Sequence, residues 1–299
     1  MTRILIKQYK NHAGKWIYQG YAAAFKYLGF EVIPFFDKLP TVKADDIIMA
    51  TDADVVSQFD KFERAQFIFL HVQPTFIPHP WGMHPNFHTA LDSAHIQRIN
   101  TWGHIIKWNF GHAVVDYFRG WQGHIHFVPL AFDSLNYQYD FDKSYQYDVC
   151  FVGGWANNGF DEKRSLILSC FQEFMKSGLH CGFFVDANVS HEKEQKILSS
   201  SRVGLNLHDV YQRVLGNDTN ERTFKTLGLT GCMVSDYVKN AQEIIGRMAI
   251  FGKNDREIVD GVLRALDNVD DEQRELNREQ IRANHTYIQR AKMLLELME

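Results

Sequence analysis

Residues 201–236 read SRVGLNLHDV YQRVLGNDTN ERTFKTLGLT GCMVSD. The apolar run Val203–Leu207 is a short strand whose end carries Asn206 and His208. These two lie two positions apart, so their side chains share one face. A polar loop follows, and its run Asn217-Asp218-Thr219-Asn220 supplies capping residues for a helix opened by Arg222 and Thr223. Gly228 and Gly231 are expected to end that helix, and Cys232–Ser235 is a second strand leading to Asp236. Polar groups are thus delivered at the carboxyl ends of two strands and at a helix N-terminus. Open α/β sheets take anionic ligands there, because unpaired amides and the helix dipole favour negative charge.

Around this stretch the pattern repeats. In the first half, Ile4–Lys7, Glu31–Phe36, Asp46–Ala50, Phe67–Val72, Ile105–Trp108 and Ile125–Val128 read as strands. Lys15–Leu28 reads as a helix with Ile17, Tyr21, Ala24 and Leu28 at helical spacing and Gly29 as its stop. The segment Gln73–His88 holds four of the seven prolines and reads as a long loop beside the site. Val128–Tyr145 reads as an interdomain connection. The second half restarts with a strand, Tyr147–Val152, and a glycine turn, Gly153-Gly154. A helix over Asp161–Lys176, a strand over Cys181–Val185 and a helix over Glu192–Ser199 follow. Beyond residue 236 come a strand at Ala249–Phe251 and helices over Glu257–Leu266 and Asp271–Leu297, the last broken near Asn284. Strands alternating with helices argue for βαβ units and parallel sheets. The expected fold class is therefore α/β, with two Rossmann-like domains facing across a cleft.

Composition bounds the function. A chain of 299 residues has room for two domains of about 150 residues. With 45% apolar and 23% charged residues it is globular rather than disordered. A net charge of −4, with no Lys/Arg run beyond two, argues against a nucleic-acid partner, although a folded basic cleft in such a chain stays open. No apolar run approaches the roughly 20 residues that span a bilayer. The start MTRILIKQYK turns polar too soon for a signal peptide, so the expected location is cytoplasmic. The four cysteines form no C-x-x-C pair and read as buried small hydrophobes.

Several residues are candidates for chemistry. Gly153 and Gly154 let the backbone approach a phosphate, or are an ordinary turn. Arg164 in the next helix reaches a phosphate or forms a surface ion pair. Asn206 and His208 line the site or satisfy a strand edge. Arg222 offers a guanidinium fork to a diphosphate, with Thr223 adding a hydroxyl. On the first half, His12 in the loop after the first strand is a candidate general base, with Asp92 as its rival. Nine of the 14 histidines fall between His71 and His126, but no metal-binding spacing accompanies them, so no metal site is expected. Neither G-x-G-x-x-G, nor a P-loop, nor a G-x-S-x-G elbow occurs.

The second half resembles the CgeB-like (spore-maturation-protein-like) glycosyltransferases of the GT-B fold. The resemblance is carried by Tyr147–Gly154 with Arg164, by Gly204-Leu205-Asn206-Leu207, by Arg222-Thr223-Phe224 with Gly228 and Gly231, and by Asn284–Arg290. It implies an N-terminal acceptor domain over 1–130 and a nucleotide-sugar domain over 131–299, with the C-terminal helix packing back toward the first domain. It implies a nucleotide-diphosphate sugar as donor, an acceptor hydroxyl, no cofactor and no metal, with Gly153, Gly154 and Arg222 at the phosphates and Asn206 and Thr223 nearby. One position departs from the family pattern. Where a Glu commonly holds the ribose hydroxyls, this chain has Lys225, and eight positions earlier it has Asn217. Lys225 is then a candidate phosphate ligand, with Glu221 as the alternative ribose partner. The rival readings are a GT-B-like protein that binds nucleotide or glycan without turnover, and a glycosyltransferase acting on modified DNA.

Overall fold

The computed structural model describes residues 2–10, 12–72, 91–111, 120–155 and 162–299; the side chains of His12, Glu162 and Tyr211 lie outside the description. The chain divides into two compact units, one made of Met1–Ala131 with Tyr287–Glu299, the other of Phe132–Thr286.

The first unit is built on six parallel strands: β1 (Arg3–Lys7), β2 (Glu31–Phe35), β3 (Ile47–Thr51), β4 (Phe67–His71), β5 (Ile105–Asn109) and β6 (Ile125–Phe127). Their order across the sheet is β2-β1-β3-β4-β5-β6. Successive side chains point to opposite faces. On one face Leu5, Ile48, Ala50, Ile68 and Leu70 pack with Val55, Phe59, Phe62, Ile96 and Trp102. These partners come from three short helices, α2 (Asp52–Ser57), α3 (Phe59–Phe62) and α4 (Ser93–Asn100), and from the turn after α4. The other face lies under α1 (His12–Tyr27), where Phe25 stacks on Phe69 and Tyr21 meets Trp108 edge-on.

The second unit restarts the pattern with β7 (Val149–Gly153), α5 (Glu162–Lys176), β8 (Cys181–Val185), α6 (His191–Ser200) and β9 (Val203–Asn206). It continues through α7 (Val210–Leu215), α8 (Arg222–Thr230), β10 (Met233–Asp236), α9 (Lys239–Ile245), β11 (Ala249–Gly252), α10 (Asp255–Asn268) and α11 (Asp271–Asn284). The five strands are again parallel, in the order β11-β10-β9-β7-β8. Gly228 does not end α8, as its type suggested; it sits inside the helix because Phe132 lies on it, and a Cβ there would come within 2.9 Å of that ring. Gly231 is the stop, in the left-handed conformation at φ 70°. All four cysteines are free. No helix among the described residues is long and apolar enough to cross a membrane.

The chain then returns to the first unit with α12 (Tyr287–Glu296). The expected break near Asn284 is where α11 stops. Tyr287 packs against Tyr21, with ring centroids 4.9 Å apart, and lies directly over Gly20 of α1. Arg290 donates from Nε to the Pro129 carbonyl at 3.0 Å. Gly20 therefore sits in mid-helix at a cost in propensity of about 1 kcal/mol, because only a residue without Cβ admits the buried Tyr287 ring. Gly20→Ala should lower stability by about 1–3 kcal/mol despite the better helix former, read as a drop in the melting temperature of the intact chain. An unchanged or raised melting temperature would show that α12 yields freely.

Candidate functional site

Gly153 is the last residue of β7, and Gly154 follows it outside the ladder. Arg222 is the first residue of α8, so its side chain starts at a helix N-terminus. The two meet. A Cβ on Gly153 would lie 2.7 Å from Cζ and 2.8 Å from Nη2 of Arg222. The guanidinium also rests on the Phe151 ring, 5.2 Å from its centroid, and donates from Nη1 to the Leu207 carbonyl at 3.2 Å. It is half-buried, and among the described residues no carboxylate comes within ion-pairing distance of it. A stacked, partly desolvated cation with donors to spare is a group that binds an anion.

A second cation flanks it, one that the sequence reading passed over. Lys163 is only 4% exposed and gives its Nζ to Asp209 at 2.7 Å. Burial first, and then the neighbouring Arg222 charge, pull its pKa below the usual lysine value. Its signal was present in the periodicity. Lys163, Ile167, Cys170 and Phe174 fall on one helical stripe and are all buried, whereas Arg164 falls off that stripe. Arg164 is exposed and stacks on Trp155 at 5.1 Å, outside the Arg222–Gly153 contact.

Asn206, His208 and Thr223 are brought together in one buried network, in which Asn206 Oδ1 has no hydrogen-bond partner among the described residues. His208 places Nδ1 2.7 Å from Asp236 and Nε2 2.8 Å from the Thr219 hydroxyl, and its backbone N–H also donates to Asp236 at 3.0 Å. Thr219 and Thr223 share a hydrogen bond of 2.7 Å, and Asn206 Nδ2 donates to Thr223 Oγ1 at 2.9 Å. All of these side chains are buried. Burial raises the pKa of Asp236, but His208 and Arg213 more than offset it, so the carboxyl is held below its ordinary range. The network resembles a hydroxyl–imidazole–carboxylate triad, yet no solvent reaches it. Its effect is to fix the loop 209–220 against α8, and so to fix where Arg222 emerges.

Lys225 is not at the guanidinium face. It is buried, with Nζ 2.9 Å from Glu194 and 3.6 Å from Glu221, under the Tyr137 ring at 5.3 Å. Tyr137 in turn donates to Glu194 at 2.7 Å. The phosphate role considered for Lys225 loses its free charge to these two carboxylates.

In the first unit, Asp92 is the N-cap of α4, accepting from the His95 N–H at 2.8 Å. That backbone bond holds its pKa below the usual carboxylate range, which suits a cap better than a base. His12 opens α1, but its side chain lies outside the described residues, as does the proline-rich segment 73–90. Among the described residues no group of three or more His, Cys, Asp and Glu side chains is placed to hold a metal.

Two outcomes follow from this geometry. Lys225→Met leaves two buried carboxylates without their cation and should cost about 3–5 kcal/mol in denaturant unfolding; a loss under about 1 kcal/mol would mean the pair is solvated. Asp218 lies buried in the loop before α8, and burial pushes its carboxyl up to about 7, with Asp209 adding repulsion. In the unfolded chain the same group ionises near 4. Raising the pH from about 4 to about 7 therefore removes stability, at up to about 1.4 kcal/mol per pH unit. Asp218→Asn should match the native chain at pH 4 and exceed it at pH 8 in thermal melts. A pH-independent difference would contradict this.

A family model described as glycosyl transferase-like matches residues 162–296. No curated protein matches. Among solved structures, the chain is similar to T4 phage BGT in complex with UDP and Mn2+, with TM-score 0.59 and 12% identity over 100% of both chains. It is similar to sucrose-phosphate synthase from Thermosynechococcus elongatus, with TM-score 0.61 and 10% identity over 99% of this chain and 98% of that one. It is also similar to an alpha-glucosyltransferase in complex with UDP-glucose and DNA containing an abasic site, with TM-score 0.61 and 11% identity over 100% of both chains. Residues 162–296 thus match a glycosyl transferase-like family model, within a chain whose two parallel-sheet units have the fold of the GT-B glycosyltransferase structures.

Proposed function

We propose that the chain moves a sugar from a nucleotide-diphosphate sugar, held by the second unit, to a hydroxyl of an acceptor held by the first. One observation carries this reading: the Arg222 guanidinium, unmatched by any carboxylate among the described residues, lies on a glycine at the carboxyl edge of a sheet. Diphosphate oxygens complete its donors, and the amides after Gly153 and at the start of α8 add to them. Lys163 nearby is held by Asp209, so in this proposal Arg222 and the helix amides meet the leaving diphosphate without a metal. The CgeB-like relationship is the finer family assignment we favour, on the Tyr147–Gly154 and Arg222-Thr223-Phe224 runs. His12 and Asp92 stand as first-unit candidates for the acceptor's proton, Asp92 the weaker because its carboxylate is spent as a cap.

A second acceptor class is modified DNA, because solved glucosyltransferases that contain DNA match the whole chain in fold. A steep fall of duplex affinity with salt would favour it, since each phosphate contact releases counterions.

The donor half is tested by thermal shift against UDP, GDP, CMP and dTDP. A ligand at about 100 times its dissociation constant adds about 2.7 kcal/mol. One of the four should raise the melting temperature, and Arg222→Ala should abolish the rise. Gly153→Ala should abolish it too while leaving the unliganded protein nearly as stable, because only the flexible end of Arg222 must move. Turnover of the matching nucleotide sugar that persists in chelator and vanishes in Arg222→Ala supports a metal-independent enzyme. A shift without turnover supports a non-catalytic binder.

A further inference from the structure

The strand FIFLH (Phe67–His71) is buried along nearly its whole length and ends in a histidine. His71 occupies the last rung of β4, paired in register with Thr51 on one side and Trp108 on the other, at the carboxyl edge of the first sheet. Its ring is wedged against Phe110, with centroids 3.9 Å apart, and against Trp108 at 5.4 Å. Nδ1 lies 3.3 Å from the Tyr18 hydroxyl. Among the described residues Nε2 has no hydrogen-bond partner, although the residue is only 3% exposed. Buried polar atoms are almost always paired, so an orphan at a sheet's ligand-binding edge points to an absent partner.

The hydrogen count sets the tautomer. If Tyr18 donates to Nδ1, one polar hydrogen, that on Nε2, is left unmatched. If Nδ1 donates to Tyr18, both the Tyr18 O–H and the Nε2 lone pair are left unmatched. The first arrangement leaves fewer orphans and makes Nε2 a donor. Burial also holds the ring pKa down to about 3, so no positive charge is offered. The nearby Lys7 ammonium is spent on Asp54 at 2.7 Å and on the Phe36 carbonyl. His71 thus holds a neutral donor, enclosed beside the Phe110 and Trp108 rings, which suits an uncharged, hydroxyl-bearing molecule better than a phosphate.

We propose that His71 is a binding residue for the acceptor, its Nε2–H donating to an oxygen of an uncharged, hydroxyl-bearing molecule such as a sugar. The proposal rests on the glycosyl-transfer reading above.

The test compares the native chain with His71→Leu and His71→Gln, using UDP-, GDP-, CMP- and dTDP-sugars as donors and free glucose as the acceptor probe. His71→Leu should keep the nucleoside-diphosphate thermal shift but lose about tenfold or more in transfer to glucose, mainly through KM for glucose, as expected for one lost hydrogen bond. His71→Gln, whose amide N–H replaces Nε2–H, should recover most of it. Nitrogen-15 spectra of the histidine rings in the intact native chain should show His71 as the neutral Nε2–H tautomer. Unchanged transfer in His71→Leu, no recovery in His71→Gln, or an Nδ1–H tautomer would overturn the inference alone. A native chain that turns over no nucleotide sugar would instead overturn the glycosyl-transfer reading, and this inference with it.

Discussion

The contact between the Arg222 guanidinium and Gly153 is what the candidate site of the second unit depends on. A planar cation can lie that close to a strand end only where no Cβ intervenes, and Gly153 provides the space. Phe151, two residues earlier on the same strand, supplies the ring beneath it, and a cation over an aromatic face is attracted to it. The Leu207 carbonyl, just after β9, accepts a hydrogen bond from its Nη1. Strand, glycine and helix N-terminus are thereby brought to one point.

Around that point the charges are matched in pairs. Lys163 is bound to Asp209, Lys225 to Glu194 and Glu221, and Asp236 to His208 and the Arg213 guanidinium. Buried ions persist only when paired, because desolvation of a lone one costs several kcal/mol. Among the described residues Arg222 is the exception there, and its half-exposed position lets water meet its charge. The His208 network acts at one remove. By tying the loop 209–220 to β10 and to Thr223, it determines the place from which α8 projects Arg222.

Much of the architecture was legible from local pattern. Strands such as Ile4–Lys7 and Cys181–Val185 are bounded by polar or glycine-rich turns, so their existence and parallel order follow from alternation with helices. The glycine turn at the end of β7 and the position of Arg222 at the start of α8 were also readable, because both are local to a strand end and a helix start. Gly228 was misread as a stop because only the packing of Phe132, nearly a hundred residues away, explains a glycine inside α8. Lys225 looked available for phosphate because its partner Glu194 lies on a different helix, α6, which no spacing in the sequence connects to it. Lys163 was the reverse case. Its helical stripe marked it as buried, but its more conspicuous neighbour Arg164 drew the functional reading. His71 carried no motif at all; its interest comes from a nitrogen left unpaired among the described residues, which only three-dimensional packing reveals.

The account stands on the claim that the second unit grips a diphosphate at Arg222 and the glycine turn. The most direct measurement is a crystal structure of the full chain with the nucleoside diphosphate that stabilises it most. The account predicts phosphate oxygens about 3 Å from the Arg222 guanidinium and from the main-chain N–H groups that follow Gly153. A diphosphate bound elsewhere, with the guanidinium still resting on Gly153 and donating only to the Leu207 carbonyl, would contradict it.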